Sequence, residues 1–392
     1  MIIALFIIKV AAGCLNAWIS LKLSIRPDIL IFHTEGLYEY HLLFTDPWAY
    51  FSNIFKSGYP NGYAGILGSG KSYWNDLTSN IIVNFLSVCD VFTFGGFYAN
   101  VIFYNFVTFF GMVALFSVFN LTLKNNKRII IFSCFLLPSV LYFSSAIHKE
   151  GLILATMGIF MYNLYHILNG IGFRPLRIFY ALLSLIFIFL LRNYVFFAAL
   201  PAAIAWILSH KKKYPPLITF MVIYIIGAVL FFNAALFIPQ INLPEIVSRK
   251  QVEFINLPKP ASYIQTNHLE PDFKSWWINA PQSLNHSLLR PYLADFHLSR
   301  LILPFSIELI FYECIILAFL LFPKKGAVEI IKDPFFLSCF FLSAIALLII
   351  GYTVPIIGAL VRYKSIYLPL IFTPVLCNID SNKLLRLIRI KK

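Results

Sequence analysis

A chain of 392 residues that is 60% apolar and 12% charged, with 41 phenylalanines, is too poor in charge for a soluble globular protein, where about a quarter of residues are charged. It reads as an all-α polytopic membrane protein with about ten transmembrane helices. The formal charge of +14 does not point to nucleic acid, because the basic residues are dispersed between apolar spans and form no face that tracks a phosphate backbone.

Apolar runs long enough for the bilayer core, which needs about 20 residues per helix, lie at 2–21, 97–120, 129–147, 150–168, 178–191, 194–209, 217–238, 301–323, 334–351 and 354–377. The first, opening MIIALFIIKVAAGC, lacks a basic n-region and has Ala11 where a lipoprotein signal prefers Leu, so it is expected to stay as a span. A long loop, 22–96, follows. It carries Asp28, Glu35, Glu39, Asp46 and Asp76, and two short apolar pieces expected to lie along the interface with Trp48, Tyr50 and Trp74 at headgroup level.

The same loop holds GILGSGKS, Gly65 to Ser72, which has P-loop spacing. The chemistry needs an apolar strand before the glycines and a helix after them. Here FKSGYPNGYA precedes and YWNDLTSN follows, and no stretch leaves room for a parallel sheet, so no nucleotide is expected at Gly65 to Ser72. Six cysteines stand singly in or beside apolar runs with no C-x-x-C pair and no histidine at ligand spacing, which argues for buried apolar residues and against a metal site. No cofactor is expected.

The segments LKNNKR, FRPLR, HKKKYPP and PKKGAVEIIK, with the tail KLLRLIRIKK, contain 16 of the 31 Lys and Arg residues; only Glu329, Asp333 and Asp380 accompany them as acids. The positive-inside rule places all five in the cytoplasm, so 178–209 crosses twice or dips and returns, and ten crossings with both termini inside satisfy every loop. The opposite face, the periplasm in a bacterium, then receives the loop 22–96, the SSAIHKEG and RNY turns, the loop 239–300 and the start of the last span.

Charged groups at membrane depth mark sites or pathways by default, although a helix-end residue that snorkels to the interface is the plain alternative for each. The set is His148, Lys149, Glu150, Arg192, Glu308, Glu313, Arg362 and Lys364. Arg192 stands between two short apolar halves where topology does not require a cation. Glu308 and Glu313, five apart, do not share one helix face, and at least one of them is expected only to pair with a neighbouring helix. Glu35 and Glu39, four apart, would point to one side of a helix. Soon after the first span, Glu35 is placed to face a cavity lined by Arg192 and Arg362, and a carboxylate with cations is the equipment for deprotonating a hydroxyl while a phosphate departs. In the second loop, Trp276, Trp277 and LLRPYLADF, which contains Arg290, either close over a sugar or pack on the membrane.

One span, an outer loop with an early carboxylate, and many further spans with basic residues at the outer face resemble the glycosyltransferase C superfamily of polyprenyl-phosphate-sugar-dependent enzymes. LPSVLYFSSAIHKEGL and GALVRYKSIYLP look like segments of a group of bacterial membrane proteins associated with surface polysaccharide assembly, a likeness that extends over most of the chain. The resemblance implies inverting sugar transfer from a polyprenyl-phosphate-linked sugar to a glycan or lipid acceptor, in the bacterial inner membrane. It implies Glu35 as base, with Asp28 as the alternative because superfamily members often carry Asp there. His148, Lys149, Arg192 and Arg362 would hold the donor phosphate; Glu39, Arg290, Trp276 and Trp277 would contact substrate. A polysaccharide repeat-unit polymerase and a transporter or flippase of lipid-linked sugars are the rival readings.

Overall fold

The computed structural model describes residues 1–23, 28–56, 73–124, 126–210, 214–238, 241–330 and 332–384; Gly65 to Ser72 lies outside them. The helices run α1 (Ile2–Leu23), α2 (Asp28–Thr45), α3 (Pro47–Asn53), α4 (Tyr73–Thr93), α5 (Phe97–Thr122), α6 (Lys127–Ile131, extended by a π-turn over Phe132–Leu136), α7 (Pro138–Ser145), α8 (Lys149–Leu168), α9 (Arg174–Leu191), α10 (Asn193–His210), α11 (Pro216–Phe237), α12 (Leu243–Asn256), α13 (Phe273–Leu284), α14 (Leu303–Leu321), α15 (Ala327–Ile330), α16 (Pro334–Thr353), α17 (Ile357–Lys364) and α18 (Leu368–Cys377). No strand occurs among the described residues. Polar caps followed by proline set several starts: Asp46 accepts from the Ala49 amide ahead of Pro47, and Asp333 from the Phe335 amide beside Pro334.

Nine helical segments among the described residues are long and apolar enough to cross a membrane. A tenth passes as a pair, Lys127–Leu136 with Pro138–Ser145, bent by 50°. These ten coincide with the ten apolar runs, so the protein is an all-α, multi-pass membrane protein. Arg192, in an extended conformation at φ −154°, ψ 98°, separates α9 from α10, as expected for 178–209.

The described part of the first long loop forms three helices, of which α3 and α4 fall on the two short apolar pieces, and α2 and α4 pack antiparallel: Gly36 lies against Leu86 and the Asp90 carboxyl, and Tyr50 is buried with its hydroxyl 3.0 Å from Ser87. Tyr50 is therefore a packing residue, not a headgroup anchor. Trp74 rests on Phe189 at 4.7 Å, and Trp48 alone of the three is fully exposed.

The chain clusters into two compact units, one of 1–117, 140–167 and 172–193, the other of 118–139, 168–171 and 194–392. In the first, α5 and α8 touch through small residues; a Cβ on Gly111 would lie 2.2 Å from the Ala155 Cα, and one on Gly158 2.1 Å from the Gly111 carbonyl oxygen. In the second, α16 is the central helix, with Phe335 against Phe119 and Trp206. Helix α13 lies on α16 so closely that a Cβ on Gly351 would be 2.0 Å from the Ser283 carbonyl oxygen. By contrast, α11 buries little of its surface against the rest of its unit.

Gly111→Leu is expected to destabilise the protein by about 1–3 kcal/mol through overpacking, whereas Gly227→Leu on α11, with no atom within 4 Å of the added carbon, leaves stability unchanged. Thermal unfolding in detergent of the two variants beside the parent checks this.

Candidate functional site

Helix α2 places Glu35 and Glu39 on one side, as their spacing predicts. Together with Thr34, Tyr38, Asn80 and Val83 they line a cavity of about 380 Å³ between α2 and α4. Glu39 is buried at its base, and its Oε1 accepts from Asn53 Nδ2 at 2.8 Å. Asn80 in turn donates to the carbonyls of Asn53, Ile54 and Lys56, which ties the end of α3 to α4. Glu35 sits nearer the mouth, where partial burial pushes its carboxyl above the usual range. The wall is held from behind: buried Asp90 accepts from Asn100 Nδ2 at 2.6 Å, and Asn100 lies 3.3 Å from His33 Nδ1, joining α2, α4 and α5. Burial raises the Asp90 carboxyl and lowers the His33 imidazole. Asp28 opens α2 and is exposed, two helical turns, roughly 10 Å, from Glu35.

The described lining of this cavity contains no cation, and Arg192 of the same unit is not among those residues. Helix α4 accounts for Arg192. Its Thr78 donates to the Leu190 carbonyl at the end of α9, and Thr78 is about 200° around the helix from Asn80 and about 140° from Val83. Arg192 is thus approached from a different side of α4, and its guanidinium is paired with the buried Glu150 carboxylate.

His148, Lys149 and Glu150 belong to a turn fastened from α1 and α5. Lys9, 1% exposed, donates to Asn105 Oδ1 at 2.7 Å and to the Ser144 carbonyl at 2.8 Å; Asn105 donates to the Ser145 carbonyl at 2.8 Å; the Tyr104 hydroxyl donates to the His148 carbonyl. The structure therefore adds Lys9, Tyr104, Asn105 and the Glu150 pairing to the residues that sequence reasoning singled out. A lone lysine in the apolar run IIALFIIKVAAG was the available signal for Lys9.

In the second unit, Arg362 stacks on Tyr363 at 5.1 Å and donates to its hydroxyl. Arg290 pairs with Asp295 at 3.2 Å, lies over Tyr292, and accepts the Lys364 ammonium at its carbonyl. Glu308 accepts from the Ser139 amide at 3.0 Å, from the Ser139 hydroxyl at 3.0 Å and from the Tyr312 hydroxyl, while Glu313 is exposed; one of the two acids does bond a neighbouring helix, as expected. Trp276 packs against Tyr352, Phe231 and Phe232 at 4.8, 5.0 and 5.6 Å, so its faces are covered by protein, and Trp277, 73% exposed, is the tryptophan of this pair open to its surroundings. Among the described residues no group of three His, Cys, Asp or Glu side chains is arranged to hold a metal ion.

The class that fold and site define is thus an all-α multi-pass membrane protein with an acid-lined cavity outside its spans. Neither a protein-family model, nor a curated protein, nor a solved structure matches the chain.

Two stability predictions follow from these contacts. Lys9→Met leaves the Ser144 carbonyl and Asn105 without their donor and lowers stability by about 1–3 kcal/mol, whereas Lys22→Met, at an exposed helix end, has little effect; unfolding temperatures of both variants check it. Burial, reinforced by the Arg290 charge, pushes His286 down to about 4 from its ordinary 6.5. The folded protein therefore resists a proton that the unfolded chain accepts, and the stability from this residue is present above pH 6.5 and lost as pH falls towards about 4. His286→Gln should flatten the dependence of the unfolding temperature across that range.

Proposed function

We propose that the chain is a membrane glycosyltransferase that uses a polyprenyl-phosphate-linked sugar at the extracytoplasmic face of a bacterial inner membrane, in cell-surface polysaccharide or glycoconjugate assembly, with both termini cytoplasmic. The supporting observation is Glu35, a partly desolvated carboxylate at the mouth of a polar cavity whose described lining has no cation to lower its pKa. A carboxylate raised above its usual range is a stronger base, suited to taking the proton of an acceptor hydroxyl as it attacks the sugar. Asp28, at the start of α2, is not among the described residues that line the cavity. In this reading the lipid phosphate, repelled by an acid-only wall, is held by His148 and Lys149, where positive charge gains value as the leaving group becomes more negative. Arg192, already paired with Glu150, orients that turn.

A second reading, a transporter of lipid-linked sugars, draws on the bent span at Lys127–Leu136 and Pro138–Ser145, since broken helices are frequent in transporters.

Glu35→Gln should lower kcat for sugar transfer by about 10²–10⁴-fold with the unfolding temperature unchanged, and Lys149→Ala should raise KM for the lipid-linked donor. A polymerase would tolerate Glu35→Gln and lose product chain length on Arg192→Ala or Arg362→Ala. Transfer assays in nanodiscs with product-length analysis distinguish these outcomes.

A further inference from the structure

The hydrogen-bond donors around the α2–α4 cavity are nearly all engaged elsewhere. Asn53 Nδ2 goes to Glu39 Oε1, Asn80 Nδ2 to three backbone carbonyls, and the Thr34 hydroxyl to the carbonyls of Leu30 and Ile31. Apart from the Tyr38 hydroxyl, what the described wall presents is acceptors: the Glu35 carboxylate, the Asn80 carbonyl and Glu39 Oε2. That last atom matters most. Glu39 is 8% exposed, and its Oε2, like the neighbouring Asn53 Oδ1, is buried with no hydrogen-bond partner among the described residues. A buried carboxylate oxygen without a donor is costly to keep, and a ligand that brings an N–H to it recovers the loss.

A wall that, the Tyr38 hydroxyl apart, presents acceptors and two acids favours a ligand rich in donors and positively charged. A primary ammonium has three donors and no acceptor, and it matches two carboxylates. The cavity of about 380 Å³ also exceeds what one bare ion fills, since a water occupies roughly 30 Å³. It suits a monosaccharide, with the Tyr38 ring at its side. We propose that this cavity binds an amino sugar, its ammonium held by the Glu39 carboxylate. The inference rests on reading the cavity as the acceptor subsite of the proposed transferase, and it makes the acceptor an amino sugar with a hydroxyl facing Glu35.

The test is equilibrium binding of D-glucosamine, N-acetyl-D-glucosamine, D-glucose and Mg²⁺ to the full chain in nanodiscs at pH 7. Glucosamine should bind at least about tenfold more tightly than the two neutral sugars, a difference of 1.4 kcal/mol. Glu39→Gln, which keeps an oxygen for Asn53, should abolish that preference, whereas Glu35→Gln at the more exposed position should only weaken it. Equal affinity for all three sugars overturns the inference, as does Mg²⁺ displacing glucosamine, which would make this a cation site. If Glu35→Gln abolishes transfer while no sugar preference is found, this inference fails and the transferase reading stands. A glucosamine preference in a protein that transfers no sugar leaves the binding site and removes the transferase.

Discussion

Backbone groups that leave a helix at membrane depth have no water to bond, so side chains must satisfy them or the break cannot form. Both ends of α7 meet this demand with an ionisable residue from another helix. At its start, Glu308 accepts the Ser139 amide and hydroxyl; at its end, Lys9 and Asn105 donate to the carbonyls of Ser144 and Ser145. The signs agree with the helix dipole, an anion at the N-terminus and a cation at the C-terminus. The turn that leads to His148, Lys149 and Glu150 depends on this arrangement, because without Lys9 the Ser144 carbonyl loses its side-chain donor.

The ten spans were legible because a bilayer imposes a length, and the ten apolar runs carry it without help from tertiary contacts. The split at Arg192 was legible from charge. The α2–α4 pairing was less so: its surface alternates apolar with Asn, Ser and Asp, and only the partner helix reveals that Asp90, Asn100 and His33 satisfy one another. Partnership was the least legible feature. A sequence shows that Arg192, Arg290 and Glu308 are charged and near membrane depth, but not that Glu150, Asp295 and Ser139 are waiting for them. For the same reason Trp276 and Trp277, adjacent in sequence, went to different surroundings: on α13 they are about 100° apart, so one meets Tyr352 and the other does not.

These partnerships change what each charge can do. A guanidinium already paired with a carboxylate attracts a phosphate less strongly than a lone one, since the pair is near neutral at distances beyond its own separation. In the first unit the acids Glu35 and Glu39 keep their acceptor capacity while Arg192 spends part of its donor capacity on Glu150. Recognition of donor-rich groups is therefore better supported there by the acids than recognition of an anion is by Arg192.

The broken span bears on the choice between catalysis and transport. In transporters a half-helix N-terminus points its amides at an anionic substrate, which must be able to leave. Here the α7 amide at Ser139 is bonded to Glu308, a carboxylate that cannot leave because α14 carries it, and Tyr312 bonds the same carboxylate. A substrate anion would have to displace a covalently tethered one. At Ser139, accordingly, the amide of the broken span is engaged by an acid tethered to α14.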